Sequence, residues 1–257
     1  VPSLTDADLE VLAFLAEHRV VVTTQVQELL GAGPRAATGR LRALEGERLI
    51  DRRRIFEGQP EACWITRRGL GVIGCGLPAP RVDLKGYRHD IGTAWVWLAA
   101  RDGAFGPLRE QVSERTMRSR DGRPGREGPA QGIGVGEVGP GGRARLHYPD
   151  LMLETSDGHR VAVELELTGK SARRLDRIML GYAADARVDA VLYLCPPGRV
   201  GERVQQAARR AGLGHRIHVQ ALARAGPAGC PEPAHLRARG LQASRERSDD
   251  RRGVDRC

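Results

Sequence analysis

The stretch Gly31-Ala32-Gly33-Pro34-Arg35-Ala36-Ala37-Thr38-Gly39-Arg40-Leu41-Arg42-Ala43-Leu44 carries the reading of the N-terminal third. The two glycines break the chain, and Pro34 stands at the first position of a helix, where the missing N–H would have had no helical partner. From there Ala37, Leu41 and Leu44 recur at i, i+4 and i+7 and face a core. At about 100° per residue, Arg35, Thr38, Gly39 and Arg42 fall on the opposite side. A helix with small and basic residues outward fits a DNA major groove, where arginine reaches guanine edges or phosphates.

The flanking sequence supplies the rest of the unit. Upstream, Thr5 with Asp8 reads as a capping box that opens a helix whose apolar face is Leu9, Val11, Leu12 and Leu15. After Val20-Val21-Val22, Thr24 with Gln27 offers a second box, ahead of a short helix carrying Val26, Leu29 and Leu30. Downstream, Leu49 to Phe56 is a strand-like run containing Arg52, Arg53 and Arg54. The turn 57–61 follows, then a second strand, Cys63-Trp64-Ile65, and a helix from Arg67 to Gly74 capped by Thr66. Helix, helix, tight turn, helix and hairpin is the order of a winged helix-turn-helix, with the hairpin arginines placed to flank the duplex backbone. Periodicity alone would also fit a three-helix bundle whose hairpin binds protein or nothing. Leu4-Thr5-Asp6-Ala7-Asp8-Leu9, Arg40-Leu41-Arg42-Ala43-Leu44 and Trp64-Ile65-Thr66-Arg67-Arg68-Gly69 resemble the N-terminal module of the replication-relaxation family. Those are winged-helix proteins of plasmids and integrative elements, and the resemblance spans residues 4–75. It implies a DNA-binding protein of a mobile element.

Leu77-Pro78-Ala79-Pro80 reads as the start of a linker, which divides the chain into a winged helix over 1–77, a linker over 78–88, an α/β domain over 89–224 and a charged tail over 225–257. In the α/β domain a helix is expected over 89–101. The stretch 119–145, rich in glycine with Arg120, Arg123, Arg126, Arg143 and Arg145, has no period and reads as a mobile loop. Leu146–Thr155 and Arg160–Thr168 read as hairpin strands, Ser171–Ala184 as a helix, Val188–Leu194 as a strand, Gly201–Ala211 as a helix and Arg216–Leu222 as a strand. The fold class is therefore α+β, a winged helix followed by a mixed α/β sandwich. The tail reads as disordered.

Within Val161 to Thr168 side chains alternate, placing Glu164 and Glu166 on one face about 7 Å apart at Cα. Asp150, on the preceding strand, comes opposite Glu164 in a hairpin. Three carboxylates on one sheet face repel unless a cation lies between them, and hard oxygen ligands of this kind suit Mg²⁺ or Mn²⁺. Lys170 follows closely and could orient a nucleophile or neutralise a transition state. The same alternation is also that of any half-solvated strand. Pro149-Asp150 followed by Glu164-Leu165-Glu166 resembles the PD-(D/E)xK nuclease core over residues 85–222. That resemblance implies metal binding by Asp150 and Glu164; with the residue reading above, the expected metal ligands are Asp150, Glu164 and Glu166, and the expected catalytic set is these three with Lys170. Glu166 stands where that core has its lysine. Ser113-Glu114-Arg115 is a further acidic contributor the resemblance suggests. The histidines show no metal-ligand spacing and read as surface or satisfied residues. Arg173, Arg174 and Arg177 read as a solvated face or as holders of a phosphate backbone.

Composition agrees with a polyanionic partner. The chain of 257 residues carries a formal net charge of +9, and neutralised phosphates release counterions. Only Lys85 and Lys170 are lysines among 41 basic residues, so arginine is the default here and each lysine the exception. The cysteines are widely spaced without a C-x-x-C pair, which argues against a compact disulfide framework or zinc site and fits a reducing, cytoplasmic setting. No membrane span is expected. Double-stranded DNA is the expected partner. Three functions fit: a mobile-element protein whose nuclease-like domain assembles on DNA without cutting it, a Mg²⁺- or Mn²⁺-dependent endonuclease addressed by the winged helix, and a repressor whose α/β domain senses a ligand or forms a homodimer.

Overall fold

Thr5 opens the first element as its spacing predicts: its hydroxyl accepts from Asp8 N while the Asp8 carboxylate accepts from Thr5 N. A computed structural model describes residues 3–123, 125, 128–139, 142 and 144–222. The first unit comprises α1 (Asp6–Glu17), β1 (Val21–Val22), α2 (Thr23–Leu30), α3 (Pro34–Gly46), β2 (Ile50–Arg53), β3 (Ala62–Ile65) and α4 (Arg67–Val72). β3 lies between β1 and β2, antiparallel to both. α2 starts differently from the sequence reading. Its cap is Gln25, whose Oε1 accepts from Val22 N at 2.9 Å, rather than a Thr24–Gln27 box.

α4 packs so closely on the hairpin that a Cβ at Gly69 would lie 2.2 Å from Leu49 O and 2.8 Å from Ile65 Cγ1. Leu49 O also accepts from Thr66 N and Oγ1, so it has little room to move. Gly69→Ala is expected to destabilise the protein by about 1–3 kcal/mol, the range of an overpacked core. A urea unfolding midpoint measures it, and an unchanged midpoint would refute this close approach.

The second unit follows as α5 (Tyr87–Arg101), β4 (Leu108–Ser113), α6 (Glu114–Asp121), β5 (Ile133–Val138), β6 (Ala144–His147), β7 (Leu151–Thr155), β8 (Arg160–Leu165), α7 (Ala172–Ala184), β9 (Ala190–Cys195), α8 (Arg199–Arg210) and β10 (Ile217–Ala221). Five strands form one sheet in the order β10-β9-β8-β7-β4, with β8, β9 and β10 parallel and β7 and β4 antiparallel to their neighbours. Val161, Val163 and Leu165 of β8 pack with Val96, Ala99 and Ala100 of α5 on one face. Ala162 joins Met179 and Tyr182 of α7 and Ala207 of α8 on the other. β8 is thus covered on both sides, and the half-solvated strand that its alternation also allowed is not what forms.

Two expectations change here. The strand expected from 146 to 155 is broken at Tyr148-Pro149-Asp150, so that β6 pairs with β5 and β7 with β8. The stretch expected to be a mobile loop contains the end of α6 and the hairpin β5–β6, with residues 124, 126, 127, 140, 141 and 143 outside the described set. The hairpin is held from several sides. The Asp121 carboxylate accepts from Gln131 N and Gly132 N, Arg187 reaches Ala130 O and Gly132 O, and Arg177 pairs with Glu137. Gly181 of α7 lets β5 come close enough that a Cβ there would meet Gly134 O at 2.7 Å. The expected tail, 225–257, lies outside the described residues.

α5 serves both units. Its Tyr87, Ile91, Ala94, Trp95 and Leu98 complete the buried cluster of the first unit, while its other face lies on the large sheet. Ion pairs and hydrogen bonds surround this junction: Arg19 with Asp90 and Glu114, Glu17 accepting from Ser113 and Thr116, and Arg115 donating to His18 O and Pro78 O. No described helix is long and apolar enough to cross a membrane.

Candidate functional site

On α3, Ala37, Leu41 and Leu44 are buried. Arg35, Gly39 and Arg42 are exposed and Thr38 is half-buried on the outer side. Arg40 is turned to the protein instead, pairing with Asp8 at 2.7 Å and donating to Thr5 Oγ1, so it ties α3 to the start of α1. Arg53 and Arg54 of the hairpin are exposed, and none of Arg35, Arg42, Arg53 and Arg54 forms an ion pair with another described residue. Arg52 departs from its expected role. Strand alternation turns it inward, its side chain is 7% exposed, and its guanidinium lies between Glu45 at the end of α3 and Glu61 just ahead of β3. Arg52 therefore braces the wing against the helix and is not free to meet a phosphate.

The acidic residues gather in one cleft of about 1020 Å³ whose wall includes Glu114, Asp150, Glu164, Glu166 and Lys170. β7 and β8 are in register so that Leu151 faces Val163, which brings Asp150 beside the end of β8, where its Oδ2 accepts from Leu165 N at 2.7 Å. Glu166 continues β8 by donating its N–H to Leu194 O. All three carboxylates are already engaged. Asp150 Oδ2 lies 3.2 Å from His89 Nε2. Glu164, 2% exposed, holds His147 Nε2 and the Tyr182 hydroxyl on the same oxygen, each at 2.5 Å. Glu166 is paired with Lys170.

Charge follows from these contacts. Burial opposes ionisation of Glu164, but His147, Lys170 and the Tyr182 hydroxyl outweigh it and hold the carboxyl below its ordinary range. Burial raises Glu166, with Glu164 and Asp150 adding to the effect and Lys170 opposing it. Lys170 is raised despite burial because three carboxylates surround it. His89 loses to burial but gains more from Asp150, and is pushed up to about 9.

The expected ligands Asp150, Glu164 and Glu166 have the hard-oxygen chemistry of a Mg²⁺ or Mn²⁺ site. Their geometry does not fit such an ion. Each carboxylate is turned to a donor of the chain itself, and among the described residues no three His, Cys, Asp or Glu side chains are grouped to hold a metal. The repulsion expected between them is answered by Lys170 and His89, while His147 hydrogen-bonds Glu164. Of these only Lys170 stood out in the sequence. His147 could have been found three residues ahead of Asp150, across the Tyr148-Pro149 turn. Tyr182 carries the one hydroxyl among the expected inward residues of α7, beside Leu175, Ile178 and Met179. Of the α7 arginines, Arg177 is committed to Glu137, whereas Arg174 lines the cleft.

No protein-family model matches this chain, and no curated protein does. Solved structures of Lactococcus lactis ZitR show partial likeness. A single-site mutant is 25% identical, with a TM-score of 0.26 over 28% of this chain and 49% of ZitR. The apo form of a double mutant is 24% identical, with a TM-score of 0.25 over 27% of this chain and 53% of ZitR. The chain thus spans about half the length of the ZitR chains it matches.

Proposed function

We propose that this chain is a DNA-binding protein that meets a duplex with α3 and the hairpin over 50–65, and whose second unit, on the plan of a PD-(D/E)xK nuclease, assembles on DNA without cutting it. The observation that carries the reading is the outer side of α3, where Arg35 and Arg42 stand exposed and unpaired among the described residues, with Arg53 and Arg54 exposed on the hairpin. The non-cleaving role is supported by the committed carboxylates of Asp150, Glu164 and Glu166. Replication, relaxation or transfer of a mobile element is the proposed setting, on the resemblance of residues 4–75 alone. In this reading residues 1–77 supply the DNA-reading surface and 89–224 the assembly platform.

Arg42→Ala is expected to weaken duplex binding by about 1–3 kcal/mol if it reads a guanine, or to lower the salt dependence by about one counterion if it holds a phosphate. Arg52→Ala should weaken binding without changing that dependence, because it braces the wing. Gel-shift titrations at several salt concentrations measure both, and unaltered affinity in Arg42→Ala would remove the recognition-helix assignment.

The gathering of Asp150, Glu164, Glu166 and Lys170 in one cleft favours a second reading, a metal-dependent endonuclease. Nicking of supercoiled plasmid with Mg²⁺ or Mn²⁺ that disappears in Asp150→Ala and Glu164→Ala would establish it and overturn the first.

A further inference from the structure

We propose that His147, presented by the β5–β6 hairpin, acts with Tyr182 to take the position a divalent cation would need at Glu164, making the second unit a metal-independent module. This rests on the non-cleaving reading above and deepens it by naming the residues that close the site. Two donors converge on one carboxylate oxygen from different elements. His147 comes from the end of β6, outside the five-stranded sheet, and Tyr182 from the buried face of α7. Their rings meet edge-on at 6.0 Å, so each fixes the other's approach. Glu164 has almost no exposure of its own, and a cation reaching that oxygen would have to displace both donors.

The hairpin carrying His147 is anchored rather than merely draped over the cleft. Its contacts to Asp121, Arg187 and Arg177 lie at its base and flank, and Gly181 admits β5 against α7. Beside it, Arg118 stacks over the Tyr148 ring at 4.3 Å and also pairs with Glu114, so the residue after His147 is tied to the opposite wall. The remaining carboxylates are served by Lys170 and His89, which completes a set of internal partners for the acidic floor. A buried carboxylate with two good hydrogen bonds has no need of an ion to be tolerated.

The test uses the full chain with Mn²⁺, followed by electron paramagnetic resonance for free ion and by the thermal midpoint. The wild type is expected to leave millimolar Mn²⁺ free at this site, to keep its midpoint, and to bind duplex equally in Mg²⁺ and in chelator. Tyr182→Phe combined with His147→Ala is expected to take up one Mn²⁺ with a rise in midpoint, both lost on adding Glu164→Gln. Mn²⁺ uptake by the wild type that Glu164→Gln abolishes would overturn the proposal, and this arm decides even if the double variant fails to fold. Failure of the DNA-binding reading is seen separately, as no gel shift in any buffer.

Discussion

A fragment ending at Leu77 is expected to show no cooperative unfolding transition, while one ending at Asp102 recovers it. The first cluster borrows Tyr87, Ile91, Ala94, Trp95 and Leu98 from α5, and fully burying a large apolar side chain contributes about 1.5–3 kcal/mol. Four of the five are large, so their removal approaches or exceeds the net stability of a typical domain, about 5–15 kcal/mol. The cut also strands polar groups. Gln25 is fully buried and donates its Nε2 to Ile91 O at 2.7 Å, and an orphaned buried donor costs about 1–3 kcal/mol. Restoring α5 returns these contacts and the Arg101 bonds to Glu10 and Leu29 O, although it leaves Val96, Ala99 and Ala100 without the sheet they cover. Far-UV circular dichroism during heating distinguishes the outcomes. A sharp melt from the shorter fragment would mean that the winged unit is complete without α5. On the expected result, residue 77 is not a boundary between folding units, and α3 with its hairpin is held in a fixed relation to the acidic cleft.

What the sequence made legible follows period and punctuation. Pro34 with Ala37, Leu41 and Leu44 gives α3 because proline at the start and a helical apolar repeat agree, and Thr5 with Asp8 gives the start of α1 for the same kind of reason. β8 and its carboxylates were visible as alternation, but alternation alone does not say that both faces are covered. That depends on α5, distant in sequence. β4 and α6 carry little sequence signal because Leu108–Asp121 is mostly polar, with Val112 and Met117 its buried apolar anchors. The glycines of the hairpin β5–β6 weaken any strand pattern, so the sequence there has the look of a loop. One of them, Gly134, belongs to the stretch that meets Gly181. Arg52 looked like its neighbours Arg53 and Arg54, and only the register that sets it opposite Cys63, on the inward side with Ile50, assigns it to Glu45 and Glu61. His147 and Tyr182 were individually ordinary. Their meaning arises where β6, β8 and α7 meet.

Acid is expected to destabilise the protein well before its carboxylates titrate, through His18. This residue ends α1 at the junction of the two units, packed against Phe14 at 4.7 Å and Trp97 at 5.8 Å between ring centroids. Its Nε2 is buried with no hydrogen-bond partner among the described residues. Burial first, and then the nearby Arg115 charge, push its imidazole down to about 3 from 6.5. An unfolded chain therefore takes up a proton as pH falls below 6.5, while the folded chain cannot do so until about 3. The stability held by the neutral ring is full above 6.5 and is lost progressively down to the folded value, a total of about 4–5 kcal/mol. Other groups at the junction act elsewhere. Glu114 is held below its ordinary range and adds its own loss only at lower pH, whereas Asp90 is raised and opposes acid destabilisation. His89 is raised to about 9, so its contribution is present below 6.5 and lost as pH climbs towards that value. The window just below 6.5 thus reports His18 with least interference. Urea midpoints of the wild type should fall across it, and those of His18→Leu should fall much less. Parallel curves for the two proteins would show that the imidazole is not buried neutral at this junction. Because Arg115 grips the His18 carbonyl and Arg19 follows with its bonds to Asp90 and Glu114, a charged ring here would loosen the seam that holds the first unit against the second.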